Sequence, residues 1–420
     1  MTAFEPARSR EAAVRRARPS DRAAVLGSFF AIEFGALVLA QKLALPAGGM
    51  PVSLLIPILY LGLGYAAITF NLGLSLPRMA AFGLFLLFSL ISQLLVGQPF
   101  SATSYLLLLA LYFPLACKWS ISFDQYRRVI GVFQNLMVFA AIMVFIQLAW
   151  QFAFGLGVTL SLERFLPHQL LLPGYIYEGG IRWGFAFIRP NGLFFLEPSF
   201  ASMFIATALI FELTEFSRPL RIGLYAGALI GCVAATGFVV LLVAAPGILR
   251  RLKPRMRLAV LLMTVTAAIV AAPLGGADLL VRRLGELDRP NTSGSERLVA
   301  PLRQLGALSS DPERLLTGAG AGNVSMLQAS PWPIVKLLSE YGALTTLAYL
   351  LLVAAALWRA PNRTVAGALF VVINFTGGYL LSPVTTNLLI LLLSLPRPTA
   401  APAQAAPLRR VAPEAAASTA

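Results

Sequence analysis

The chain has 420 residues, of which 58% are hydrophobic and only 12% charged. A soluble domain carries about 25% charged residues, so this composition excludes a water-soluble globular enzyme. The formal net charge of +15 comes without a basic–aromatic surface or a known nucleic-acid module, so no nucleic-acid partner is expected. Basic loops that set orientation and meet anionic membrane lipids account for it.

Apolar runs of roughly 20 residues recur, each long enough to cross a bilayer core. They are continuous rather than alternating, which favours helices over barrel strands. Cys117 and Cys232 fall in or beside such runs and read as packing residues. His168, the only histidine, cannot build a metal site alone. Neither a metal nor a cofactor is expected.

In chain order, residues 1–22 form a basic tail with Arg8, Arg10, Arg15, Arg16, Arg18 and Arg22. The apolar stretch 23–45 behind it is too long for a signal-peptide core and reads as the first membrane helix. Spans follow at 51–70, 79–97, 102–117 and 129–157, the last long enough to tilt or project. The breaker cluster at 46–50 separates the first two. A hydrophilic segment at 158–191 precedes the span 192–213.

The stretch 222–249 reads as two short helices broken near Thr236-Gly237. One long span would place the cationic run at 250–257 outside, against the rule that basic loops stay in the cytoplasm. A span at 258–275, a second hydrophilic segment at 276–332 and a span at 333–356 come next. Two shorter helices over 364–395 break at Ser382-Pro383, and the Ala- and Pro-rich tail 396–420 reads as disordered.

The sum is an all-α polytopic membrane protein with a transmembrane domain over 23–395 and about 12 transmembrane helices (11–13). Both termini fall in the cytoplasm, and most Lys and Arg residues gather there. The two long loops, 158–191 and 276–332, are periplasmic in this layout.

Those loops hold the candidate chemistry. They are rich in arginine, a planar, permanently charged fork suited to phosphate oxygens, and also in acidic residues that could form surface ion pairs with it. Arg189 sits at the membrane edge in Arg189-Pro190-Asn191-Gly192. Glu197 lies inside the apolar run that follows, and a carboxylate in a span is a functional-site candidate. Pro198 beside it is expected to interrupt the helical ladder and widen a cavity. Equally, Glu197 could pair with an arginine and lock the loop to the bundle.

Farther on, Thr292-Ser293-Gly294-Ser295-Glu296-Arg297 reads as a helix start capped by Ser293 or Ser295. Leu298, Leu302 and Leu305 recur at helical spacing beyond it. The run Gly318-Ala319-Gly320-Ala321-Gly322-Asn323 is not a nucleotide fingerprint, since no strand precedes it. It is either a plain turn or a place of close backbone approach. Lys336 and Glu340 stand one turn apart and could pair. Glu33 and Lys42 in the first span are lesser candidates of the same kind.

Taken in order, Arg189-Pro190-Asn191-Gly192 with Glu197-Pro198-Ser199, Ser295-Glu296-Arg297, Gly318 to Asn323, and Ser339-Glu340-Tyr341-Gly342 resemble the O-antigen and exopolysaccharide repeat-unit polymerases, a family within the O-antigen ligase-like superfamily. The resemblance spans the whole layout of helices and two periplasmic loops. It implies a GT-C-like, metal-independent glycosyltransferase of the bacterial inner membrane, acting on oligosaccharides linked to undecaprenyl pyrophosphate. A chain-length-regulating membrane protein is a candidate partner.

By motif, the resemblance assigns catalysis to Glu197, Arg189 and Arg297, with Glu197 as base and the arginines on the pyrophosphate. Substrate binding falls to Arg182, Arg303, Arg314, Asn323 and Glu340. Related ligases carry a His-Asn-type pair upstream of the glycine matching Gly342. Here that stretch reads Ser330-Pro331-Trp332-Pro333, which favours a polymerase over a ligase. The alternatives are ligase-type transfer to another acceptor, or a flippase or transporter of the same lipid-linked oligosaccharide.

Overall fold

The computed structural model describes residues 19–47, 50–68, 72–97, 99–119, 122–155, 160–173, 188–252, 295–323, 332–358, 360–375 and 380–395. It also describes the isolated positions 158, 257, 285, 288 and 292. The expected span 258–275, residues 1–18 of the basic tail, the tail 396–420 and Arg182 lie outside these residues.

The described chain is mostly helical. Helices α1 (Pro19–Leu39), α2 (Leu55–Ile68), α3 (Leu76–Leu95), α4 (Ala102–Tyr112) and α5 (Phe123–Phe154) precede the first long loop. After it come α6 (Pro198–Phe211), extended by a wide turn over Glu212–Phe216, then α7 (Pro219–Cys232) and α8 (Ala235–Arg251). The second loop contributes a wide turn at Ser295–Val299, then α9 (Ala300–Ser309) and α10 (Pro312–Thr317). The series ends with α11 (Pro333–Leu357), α12 (Arg363–Phe375) and α13 (Pro383–Ser394).

Two small antiparallel ribbons join helices: β1 (Ala44–Ala47) with β2 (Met50–Ser53), and β3 (Leu72–Leu74) with β4 (Cys117–Trp119). In the first, Ala44 faces Ser53 and Ala47 faces Met50.

Among the described residues, four helices are long and apolar enough to cross a membrane: Leu76–Leu95, Phe123–Phe154, Pro198–Phe216 and Pro333–Leu357. Six shorter apolar helices pack among them. Large apolar side chains such as Leu61, Leu94, Leu220 and Leu242 are exposed on the outer faces. Water would not tolerate so much exposed apolar surface.

Local chemistry explains many boundaries. Proline opens α6, α7, α10, α11 and α13 at the first helical position, where its missing N–H costs nothing. A capping box of Ser122 and Gln125 starts α5, which runs 32 residues to Gly155. That is roughly 48 Å of helix, well beyond the bilayer core, as its sequence length anticipated.

The structure moves some expected boundaries. The first apolar run stops being helical at Leu39, and Gln41 and Lys42 form the corner before β1. The break in 222–249 falls at Val233-Ala234 rather than at Thr236-Gly237. Val233 adopts a left-handed conformation (φ 47°), and Gly237 instead serves contact. A Cβ there would lie 2.6 Å from the Ser202 carbonyl oxygen, so only glycine lets α8 lie this close to α6. Both α7 and α8 pack mainly on α6 and clasp it.

Pro198 does not interrupt a helix. The segment 192–196 is an irregular turn, and α6 begins at Pro198 with Glu197 as its N-cap. At the start of the wide turn at 295 the Thr292 hydroxyl accepts from the Ser295 N–H at 3.3 Å; Ser293 lies outside the described residues. Beyond it, Pro301 and Leu308 are the buried residues of α9, whereas Leu298 and Leu302 are exposed.

At one end of the bundle, buried Arg78 in the first turn of α3 donates to the carbonyls of Cys117 (2.9 Å), Leu393 (3.2 Å) and Ala356 (3.4 Å). Two of these carbonyls lie in the last turns of α11 and α13, so one guanidinium reaches helix ends where intrahelical partners run out.

Candidate functional site

Glu197 and Arg297 come from different loops and meet. The Arg297 guanidinium stands 3.9 Å from Glu197 Oε2, with the two side chains 35% and 30% exposed. The Ser199 hydroxyl donates to the same carboxylate oxygen at 3.1 Å. The Glu197 backbone is extended, and its carbonyl accepts from the Phe200 and Ala201 N–H groups. The carboxylate therefore sits at the positive end of α6, where negative charge is favoured. On the other side, the Trp332 indole N–H donates to the Arg297 carbonyl. Trp332 is the N-cap of α11 and its ring packs edge-on to Phe375 at 6.0 Å. The wide turn carrying Arg297 is thus tied to the start of α11.

Arg189 engages a helix end. Its guanidinium donates to the Val233 carbonyl at 3.2 Å, the C-cap of α7, where a cation suits the dipole. Arg303 and Arg314 are exposed on α9 and α10. Glu340 is fully buried and lies 3.6 Å from Lys336 Nζ, the pairing that the one-turn spacing anticipates. The Asn323 side-chain amide donates to Ala319 O (2.7 Å) and Pro99 O (3.1 Å), which closes the glycine loop on itself and on the α3–α4 connection.

The glycine loop has a specific structural task. Helix α11 is broken at Gly342 (φ 77°, ψ 177°), which removes the partners of the carbonyls just before the break. The loop supplies them: Ala319 N–H donates to Ser339 O at 2.8 Å and Gly320 N–H to Glu340 O at 3.0 Å. Gly318, Gly320 and Gly322 all have positive φ, and a Cβ on Gly318 would lie 2.5 Å from Glu340 backbone atoms. Gln93 of α3 bridges the same junction, accepting from Ala321 N–H at 2.7 Å and donating to Glu340 O at 3.5 Å. Gln304 of α9 donates to Ser339 Oγ at 2.8 Å. The run is therefore a close-approach element rather than a plain turn.

Sequence reasoning passed over the amides that hold the 188–197 segment. Gln151 donates to Ile188 O (2.8 Å) and accepts from Ile188 N–H (2.7 Å). Gln147 donates to Asn191 Oδ1 (3.1 Å) and accepts from Leu193 N–H (3.2 Å). The available signal was two glutamines four residues apart inside the apolar α5, which must share a face. A second polar cluster, also missed, lies at the opposite end of α6. There the half-buried Glu215 carboxylate accepts from Tyr126 OH (3.0 Å) and Asn362 Nδ2 (2.7 Å), and buried Glu212 pairs with Arg218.

Among the described residues no group of three or more His, Cys, Asp or Glu could hold a metal ion. The chain matches no protein-family model and no curated sequence. What the site can do must therefore come from its residues. A part-exposed guanidinium faces a part-exposed carboxylate at a helix N-terminus, an arrangement able to bind an anionic group and to take a proton from a nearby hydroxyl.

Proposed function

We propose that this protein is a polymerase of surface or extracellular polysaccharide in the bacterial inner membrane. It moves a growing glycan from undecaprenyl pyrophosphate onto an incoming lipid-linked repeat unit at the periplasmic face. The observation that carries this reading is the meeting of Glu197 and Arg297, the two motif residues assigned to base and pyrophosphate, from loops far apart in sequence.

In this mechanism the acceptor hydroxyl attacks the anomeric carbon of the growing chain and gives its proton to Glu197. The bond from that carbon to the pyrophosphate oxygen breaks, and undecaprenyl pyrophosphate leaves with the bonding electrons. Arg297 stabilises the charge that develops on it. Arg189 supports the site by holding the end of α7, and exposed Arg303 and Arg314 draw the anionic carrier toward it.

The layout accompanying this reading is GT-C-like, with about 12 transmembrane helices and both termini cytoplasmic. Charge at the helix ends supports the orientation. Arg127, Arg128, Arg218, Arg221, Arg250, Arg251 and Arg363 lie at or beside the ends of α5, α7, α8 and α12 remote from Glu197, as expected for the cytoplasmic side.

The test is polymer analysis in a deletion strain rescued with wild type, Arg297→Ala or Glu197→Gln, at matched membrane protein level. The expected result is polymer with wild type, and single repeat units without rescue and with either variant. Normal polymer length from Glu197→Gln would refute the assigned base. Polymer that persists in the deletion strain but fails to reach its final acceptor would favour a ligase, and units trapped on the cytoplasmic side a flippase.

A further inference from the structure

The corner between α1 and β1 is built around Lys42, whose side chain is almost completely buried. Its ammonium pairs with the Glu163 carboxylate from the first long loop and donates to the Leu193 carbonyl at 2.6 Å. The neighbouring Gln41 accepts from the Leu196 N–H at 3.4 Å. One two-residue corner therefore grips the 193–196 segment at both ends, directly before Glu197.

That segment needs gripping. Gly192 and Leu193 both adopt left-handed conformations, with φ of 66° and 69°. For a leucine this is a strained conformation, and such a residue persists only when its surroundings over-determine it. Here the Leu193 N–H is held by Gln147 and Asn191, and its carbonyl by Lys42. Phe195 and Leu196 then plug into the core with no exposure. The strained reversal aims the chain so that Glu197 arrives as N-cap of α6, facing Arg297.

We propose that Lys42 is a positioning residue: through the Leu193 carbonyl it fixes the reversal that presents Glu197 to Arg297, with Glu163 serving to keep the buried ammonium charged. This rests on the polymerase reading for its consequence in activity, but not for its consequence in local order.

The test compares Lys42→Met with the double variant Lys42→Met/Glu163→Gln in the full-length protein. The single variant leaves a buried carboxylate without its cation and is expected to lower folded yield. The double variant removes both charges, so it recovers yield while the Leu193 carbonyl remains without the ammonium. Hydrogen exchange is then read by mass spectrometry across 188–197, together with polymer length. The double variant should speed exchange in that segment about tenfold or more, the loss of one charge-assisted hydrogen bond. Exchange in α3 should be unchanged, and polymer should be shortened or lost.

Wild-type exchange across 188–197 in the well-folded double variant would overturn the proposal. So would faster exchange with normal polymer. If the wild-type protein itself makes no polymer, the polymerase reading fails, and the exchange measurement alone still decides whether Lys42 holds the turn.

Discussion

Replacing Gly342 by alanine should be among the most damaging single-methyl changes in this chain. Its backbone (φ 77°, ψ 177°) lies in a region that only glycine occupies freely, a cost of about 1–3 kcal/mol for any other residue. The added Cβ would also overlap the carbonyl oxygen of Leu316. Relieving that overlap means moving α10 away from α11. The two bonds most exposed to this shift are Ala319 N–H to Ser339 O and Gly320 N–H to Glu340 O, each worth about 1 kcal/mol. Together these come to about 3–5 kcal/mol, a large share of the 5–15 kcal/mol that holds a typical domain. Gly83→Ala is the matched control, because a Cβ there meets nothing within 4 Å and alanine is the better helix former. Thermal unfolding in detergent should show Gly342→Ala lowered by several degrees and poorly recovered, with Gly83→Ala unchanged or raised. Equal stability of the two would refute the break in α11 and, with it, the account of the glycine loop.

Two further outcomes follow from the same geometry. Arg78→Met removes a buried guanidinium bonded to three carbonyls, each charge-assisted bond being worth about 1.5–3 kcal/mol. Membrane abundance should fall sharply, and Arg78→Lys should restore it only in part, because an ammonium lacks the guanidinium's fork. Asn323→Ala removes two hydrogen bonds to backbone carbonyls and should cost about 1–2 kcal/mol. Polymer length should stay normal when protein level is matched, whereas its loss at normal level would mean that the Asn323 amide meets substrate.

Some of the site is legible in the sequence. The Lys336–Glu340 pair follows from one-turn spacing, and the break in 222–249 follows from where a cationic run can reside; its position shifted by about one helical turn. Pro198 was legible as a breaker but not as a first-turn residue, because proline beside an apolar run fits either a kink or a start. The settling fact is the left-handed reversal at Gly192-Leu193, which ends the preceding segment. The glycine run by itself favoured a plain turn over close approach, because nothing in it names its partner, the broken end of α11.

Hydropathy and turn chemistry are sums over neighbouring residues, so the sequence alone determined that this chain is helical, apolar and punctuated by proline and glycine. The pairing of charges is different in kind. Glu197 meets Arg297, and Lys42 meets Glu163 and Leu193, because separate helices return their ends to one side of the bundle. That return is fixed by packing contacts such as Gly237 on Ser202 and Gly342 on Leu316, which involve residues remote in the chain. Only the tertiary structure could decide them, since a buried or half-buried charge takes its partner from whatever the packing brings within reach.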